Sequence, residues 1–257
     1  MPSSIFDSHA HYDDKSFDSD RDTLLEELPN RGICNLINCG ADLSSSRASV
    51  ELAGKYPYIY AAVGIHPECA KDAPADYLQQ MEELVTKEKV VAVGEIGLDY
   101  HFEENAPKNV QKVLFENQIL LAQKAGLPII VHDRDAHGDT MELLRKRKPK
   151  GVVHCFSGSV EMAEECIRLG LYIGLGGAVT FKNARVPVAV AAAIPLDRML
   201  METDCPYMAP VPFRGKRNDS TLIAYTAARI AEIRGTTAGE ILRASRRNAE
   251  TLFKIHS

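Results

Sequence analysis

The sequence predicts an α/β protein built as a single (β/α)8 barrel, and three observations carry that expectation. Short apolar, β-branched runs recur along the whole chain, segments of helical character separate them, and the runs number eight, enough to close a parallel sheet on itself. A doubly wound open sheet is the competing arrangement, and periodicity alone does not separate the two. The 257 residues match the usual length of one such barrel. No Pro/Gly/Ser-rich linker, internal repeat or low-complexity stretch divides them, so one domain over 1–257 is expected.

The candidate strands are residues 5–6, 33–37, 59–63, 90–93, 129–131, 152–153, 171–175 and 199–201. Each is too short for a helix, and most are almost continuously apolar, as strands buried on both faces should be. Between them, 23–28 reads as a helix ahead of a Pro-Asn-Arg-Gly stop, and 44–55 as one opening on cap-forming serines. Residues 108–125 end at Gly126 and Pro128, a glycine-then-proline stop, and 159–169 end at Gly170. After 201, helical patterns at 222–233 and 238–245 suffice to finish the last barrel helix and add a short one.

Composition narrows the function classes. Hydrophobic content of 45% and charged content of 25% are those of an ordinary soluble globular protein. A formal charge of −5 excludes a protein that coats nucleic acid through a global basic field; a polyanionic substrate would have to be attracted locally. No apolar run approaches the ~20 residues a membrane span requires. The opening MPSSIFDSHAH has neither a charged nor an apolar leader region, so no signal peptide is expected. Six cysteines without a Cys-x-x-Cys pair point to a reduced, cytoplasmic protein.

The chemistry is positional. His9 and His11 follow the first run, His66 the third, Glu95 the fourth, His132 the fifth, His154 the sixth and Asp204 the eighth. In a parallel barrel these ends share one mouth, where the active sites of this fold are built. His9 and His11, at i and i+2, point to the same side of an extended strand and can face one metal. With His132, His154, Glu95 and Asp204 the set reaches four imidazoles and two carboxylates, a donor set suited to Zn, Mn, Fe and similar divalent ions. Six protein ligands exceed what one catalytic metal takes, whereas two metals sharing a bridging carboxylate would use them all. A single strand-end histidine is usually only a hydrogen-bonded structural residue, and His101, His137 and His256 are read that way. Cys155 and Cys205 should face the helix layer as small buried hydrophobes. Ser157-Gly158-Ser159 could hold a phosphate at a helix start or simply supply a serine N-cap. Arg134, two residues beyond His132, shares its face, and the basic loop 212–218 with Arg217 is expected to hang over the same mouth.

These residues fall in blocks that resemble the TatD family of metal-dependent deoxyribonucleases, within the amidohydrolase-like metal barrels. The blocks are FDSHAHYD (6–13), GIHP (64–67), GEIGLDY (94–100), PIIVHDRDA (128–136), HCFSG (154–158), ETDCPYMAP (202–210), RN (217–218) and NAETLF (248–253). They run in family order along essentially the whole chain. The resemblance implies a (β/α)8 barrel with a divalent metal centre that hydrolyses DNA phosphodiesters, often as an exonuclease. It also implies that His9, His11 and Asp204 hold one metal, that His132 and His154 hold the other, and that Glu95 bridges them. His66 then corresponds to an active-site histidine near the substrate phosphate. Departures occur at Glu68-Cys69, where several relatives carry another His, and at Asp219-Ser220, where Glu-Pro is common; both are expected at the substrate mouth.

The sequence-level expectation is therefore a hydrolase that cleaves DNA phosphodiesters, as a 3'-5' exodeoxyribonuclease, with metal-activated water, the metals being Zn, Mg or Mn. Asp204 would accept the water's proton, and Arg134, Ser157 and Arg217 would contact substrate. His66 would position the phosphate or protonate the leaving oxygen. The substrate would be single-stranded DNA or a strand end, with no membrane partner; oligomeric state is left open, and a monomer is compatible. One alternative is hydrolysis of another ester or amide, such as D-aminoacyl-tRNA. Another is an inactive metal-binding protein, whose signature would be a missing ligand; none of the six is missing.

Overall fold

The computed structural model describes residues 5–255. Its strands are β1 (Ile5–Ala10), β2 (Ile33–Cys39), β3 (Ile59–Val63), β4 (Val90–Asp99), β5 (Ile129–Arg134), β6 (Gly151–Val153), β7 (Tyr172–Leu175) and β8 (Met199–Met201). They pair in parallel in strict chain order, β1 through β8. The ring closes through a bridge between Ala10 and Cys205. Two backbone bonds flank it, Asp204 N–H to the His9 carbonyl at 3.0 Å and His11 N–H to the Cys205 carbonyl at 2.8 Å. The fold is the (β/α)8 barrel, not the open sheet.

The helices are α1 (Arg21–Glu27), α2 (Leu43–Lys55), α3 (Tyr77–Leu84), α4 (Lys108–Ala125), α5 (His137–Arg147), α6 (Val160–Arg168), α7 (Arg185–Ala193), α8 (Ile223–Arg234) and α9 (Ala238–Phe253). A capping box of Asp42 and Ser45 starts α2, and Gly126 in the left-handed region ends α4. The last helix is the main correction to the sequence reading. It is not short: a Thr237/Glu240 capping box starts it and it continues to Phe253. Its apolar side closes the barrel floor, where Phe253 stacks on Phe6 at 6.4 Å among Ile37, Ala62, Ala92, Ile130, Val152 and Leu200. Burying each large side chain there contributes roughly 1.5–3 kcal/mol.

The floor residues identify the inward face of each strand. On β5 that face simply alternates, from Ile130 to His132 and Arg134; at β8 it runs from Leu200 to Glu202 just past the strand end, and a positive-φ turn brings in Asp204. On β1 and β4 the alternation breaks. The ladder shifts register between Asp7 and Ala10, and again between Val93 and Ile96. Each irregularity switches parity, so Phe6 and Ala92 point inward at the floor while His9, His11 and Glu95 point inward at the mouth. Ala10, Ile96 and Leu98 pack outside, against the helices.

Candidate metal centre

The C-terminal mouth opens into a cavity of about 760 Å³. Glu95, 4% exposed, stands at its base and divides the histidines between its two oxygens. Oε2 lies 3.2 Å from His9 Nε2 and 3.4 Å from His11 Nε2. Oε1 lies 2.8 Å from His154 Nε2, 2.9 Å from His132 Nδ1 and 3.4 Å from His66 Nε2. Asp204 Oδ1 approaches the first pair, 3.4 Å from His11 Nε2 and 3.7 Å from His9 Nε2. All seven mouth residues expected from the sequence therefore converge. Asp204 and Cys155 hold positive φ values of 58° and 42°, which non-glycine residues rarely adopt, as the chain turns inward after β8 and β6.

The donor set fits metal ions. His11 Nδ1 sits 2.8 Å from the Cys39 carbonyl, an acceptor only, so in the neutral ring that an ion would bind Nδ1 carries the proton and Nε2 the lone pair. His9 Nε2 lies 3.0 Å from that same nitrogen. Lone pairs brought this close beside a carboxylate suit a shared cation. Three groups of donors cluster tightly enough for an ion: His9, His154 and Asp204; His9, His11 and Glu95; His66, Glu95 and His132.

Charge follows the same pattern. Burial opposes ionisation of Glu95, yet His154, His66 and His9 around it hold its carboxyl well below the usual range. Burial likewise opposes ionisation of Asp204, but a hydrogen bond with His11 and the charges of His154 and His9 lower it. Burial and His154 push His9 down to about 4. Burial and the neighbouring His132 lower His66. For His132 burial is outweighed by Asp99 and Glu95, and the ring rises to about 10.

Around the centre, several placements differ from expectation. Arg134 lines the cavity, its guanidinium 4.8 Å over the Phe102 ring, and Ser157 lines it too. Ser159 serves as an ordinary N-cap, accepting from Met162 N–H. Arg217 does not reach the cavity. It forms a two-pronged pair with Asp20 at 2.6 and 2.7 Å and lies over the Phe17 ring, tying its loop to residues 16–20. Arg214 stacks on Phe181, so two cations of the basic loop are engaged elsewhere. Cys155 is not in the helix layer: its positive φ turns it to the cavity wall, while Cys205 is buried as expected. Glu68 lines the mouth, but Ser220 is buried behind the site, donating to Asp7. His101 and His137 pair with Asp135 and Asp133 outside the centre, and His256 lies outside the described residues.

Three buried carboxyls escaped the sequence reading. Asp99 lies 3.1 Å from His132 Nε2. Glu202, one inward step below Asp204, accepts from Cys155 N–H, and burial pushes it up to about 8. Asp7 accepts from Thr203 Oγ1 at 2.6 Å and Ser220 Oγ at 2.7 Å, clamping β1 to the segment after β8. The available signal was a carboxylate inside an apolar strand run, costly unless partnered.

A parallel barrel with imidazoles and carboxylates gathered at its C-terminal mouth defines the class, a metal-dependent hydrolase. Residues 6–254 match the family model for TatD related DNase. The chain is 42% identical to the uncharacterized metal-dependent hydrolase YabD of Bacillus subtilis, over 98% of this chain and all of that protein. It is 31% identical to the 3'-5' ssDNA/RNA exonuclease TatD of Citrobacter rodentium, over 98% of each chain. The crystal structure of YJJV, a TatD homologue from Escherichia coli, superposes with a TM-score of 0.93 at 33% identity, covering both chains fully. The chain belongs to the TatD family of metal-dependent hydrolases.

Proposed function

We propose that this hydrolase removes nucleotides from the 3' end of single-stranded DNA, using two divalent ions held by His9, His11 and Asp204 on one side and His132 and His154 on the other. The observation that carries this reading is Glu95, whose two oxygens face two separate groups of ring nitrogens. Bound there, Zn, Mg or Mn would supply an activated water and Lewis acidity toward a phosphoryl oxygen. Asp204 is half-buried beside the first group and would accept that water's proton. His66 accepts Glu68 N–H through Nδ1, which puts the ring proton of its neutral form on Nε2, aimed into the site. Its lowered pKa favours hydrogen bonding to the phosphate over proton donation. Arg134 and Ser157 stand on the wall within reach of a strand end, and the guanidinium offsets charge developing on the phosphoryl group.

Nucleic acid as substrate is supported by the exonuclease-named relative and by Arg134. An end rather than a long duplex is supported by the rim, where Asp13, Asp14, Glu68 and Asp133 surround that one arginine. Weak, salt-sensitive affinity follows. The six cysteines are all unpaired, which supports a reducing, cytoplasmic setting. Among the described residues no helix is long and apolar enough to cross a membrane.

The test uses chelator-treated protein, end-labelled single-stranded DNA and a charged D-aminoacyl-tRNA, each with Mg²⁺, Mn²⁺ or Zn²⁺. Stepwise shortening from the 3' end is expected, dependent on added metal and lost in Glu95→Ala and Asp204→Ala. Deacylation without DNA cleavage, or either variant cutting at the wild-type rate, refutes the reading.

A further inference from the structure

Four histidines present Nε2 to Glu95 or Asp204; His132 presents Nδ1. Its other nitrogen, Nε2, lies 3.1 Å from Asp99 Oδ2. A carboxylate only accepts, so Nε2 carries a proton toward Asp99; an ion arriving at the inward Nδ1, 2.9 Å from Glu95 Oε1, would displace the Nδ1 proton and leave the one on Nε2 in place. Asp99 is fully buried and firmly held. Gln111, from α4, accepts the Asp99 N–H at 2.9 Å and donates to the Asp99 carbonyl at 2.9 Å and to the Ala106 carbonyl at 2.8 Å. His101 N–H bonds Oδ1 at 2.9 Å, leaving Oδ2 aimed at His132.

The two halves of the centre differ in charge. His9 and His11 have Asp204 beside them, and their outward nitrogens rest on neutral groups, the Cys39 sulfur and carbonyl. The inward nitrogens of His132 and His154 lie 2.9 and 2.8 Å from Glu95, whereas Asp204 clusters with His154 only within 4.8 Å, farther than its 3.4 Å approach to His11. The Glu202 carboxyl stays 3.8 Å from His154 Nδ1, beyond hydrogen-bond reach.

We propose that Asp99 is a positioning residue that locks His132 to ligate through Nδ1 and supplies, through that ring, the negative charge the His132/His154 half lacks. This rests on the two-metal reading above. A carboxylate behind a metal-bound imidazole fixes its tautomer and raises its basicity, and its loss typically weakens metal affinity by roughly 10–100-fold.

The experiment titrates Co²⁺ into chelator-treated wild type, Asp99→Asn and Asp99→Glu, by calorimetry and visible absorption. Wild type is expected to take two ions. Asp99→Asn should keep one binding step unchanged and weaken the other by roughly 10–100-fold, with Asp99→Glu intermediate. Nitrogen-15 histidine spectra of Zn²⁺-loaded wild type need no variant; they should show His132 metallated on Nδ1 with a slowly exchanging proton on Nε2. Unchanged steps in Asp99→Asn, equal weakening of both, or metallation of His132 on Nε2 overturns the proposal while leaving two metals in place. Fewer than two ions in wild type overturns the two-metal reading, and the proposal with it.

Discussion

Gly97 sits in β4 between Glu95 and Asp99, paired with His132 on β5. Its φ is +149°, and a Cβ built there would meet the His132 carbonyl oxygen at 1.9 Å and its carbonyl carbon at 2.8 Å. Ordinary contact begins near 3.4 Å, so Gly97→Ala leaves the two strands about 1.5 Å too close. β5 must retreat at the residue whose ring stands 2.9 Å from Glu95 Oε1. Overpacking costs about 1–3 kcal/mol and the unfavourable backbone conformation a similar amount, so the variant should lose about 2–6 kcal/mol. That corresponds to a Tm lower by roughly 5–15 °C. A 1 Å displacement of a reacting group costs on the order of 10²-fold in rate, and metal-dependent cleavage should fall by at least that much. Thermal unfolding, metal titration and end-labelled DNA assays on the purified variant read all three quantities. A Tm within ~2 °C of wild type together with full activity would refute the steric argument.

The two arginines should separate cleanly. Arg134→Ala should lower kcat/KM on single-stranded DNA by roughly 10²-fold. Arg217→Ala removes a largely exposed ion pair worth about 1 kcal/mol or less and should leave kcat/KM within about threefold; the reverse order would restore Arg217 as a substrate contact. The Asp7 carboxyl gives a pH dependence. Burial pushes it up from 3.8 to about 6, so the folded metal-free protein keeps a proton there that the unfolded chain has released. Its stabilising contribution is full below about pH 4 and is lost as the pH rises through about 6, about 3 kcal/mol in all. Asp7→Asn has no such proton, so the stability gap between wild type and variant should shift against wild type by that amount from pH 4 to pH 7. Denaturant unfolding of chelator-treated protein measures it, and a gap independent of pH contradicts the assignment.

Most of the barrel was legible because apolar strand runs and helix stops are local signals. Residues 59–63 and 199–201 are strands over their full expected length, and 108–125 is a helix. The strands that carry the chemistry were read short. β1, β4 and β5 continue beyond their apolar runs into His9, Glu95 and His132, and a ladder hydrogen bond does not depend on the side chain. The convergence of the site was legible from strand ends alone. The parity switches on β1 and β4 were not read: Ser8 carries no residue-type signature of a bulge, and the one available signal was a glycine inside a strand at Gly94. Arg217 was misplaced for a different reason: nothing near it in sequence announces Asp20, 197 positions away.

The seam between first and last strands carries a kinetic consequence. β4 and β5 share five register pairs, whereas β1 meets β8 and the segment after it through the Ala10–Cys205 bridge, the Ser8–Met201 bond and the Asp7–Thr203 clamp. His9 and His11 stand on one side of that seam and Asp204 on the other. An ion shared among them would act as a removable rivet across a loop of nearly the whole chain. It would raise the barrier to unzipping and shield the opened barrel from proteases, while the β4–β6 half of the centre, already bound by its own ladder, would gain far less.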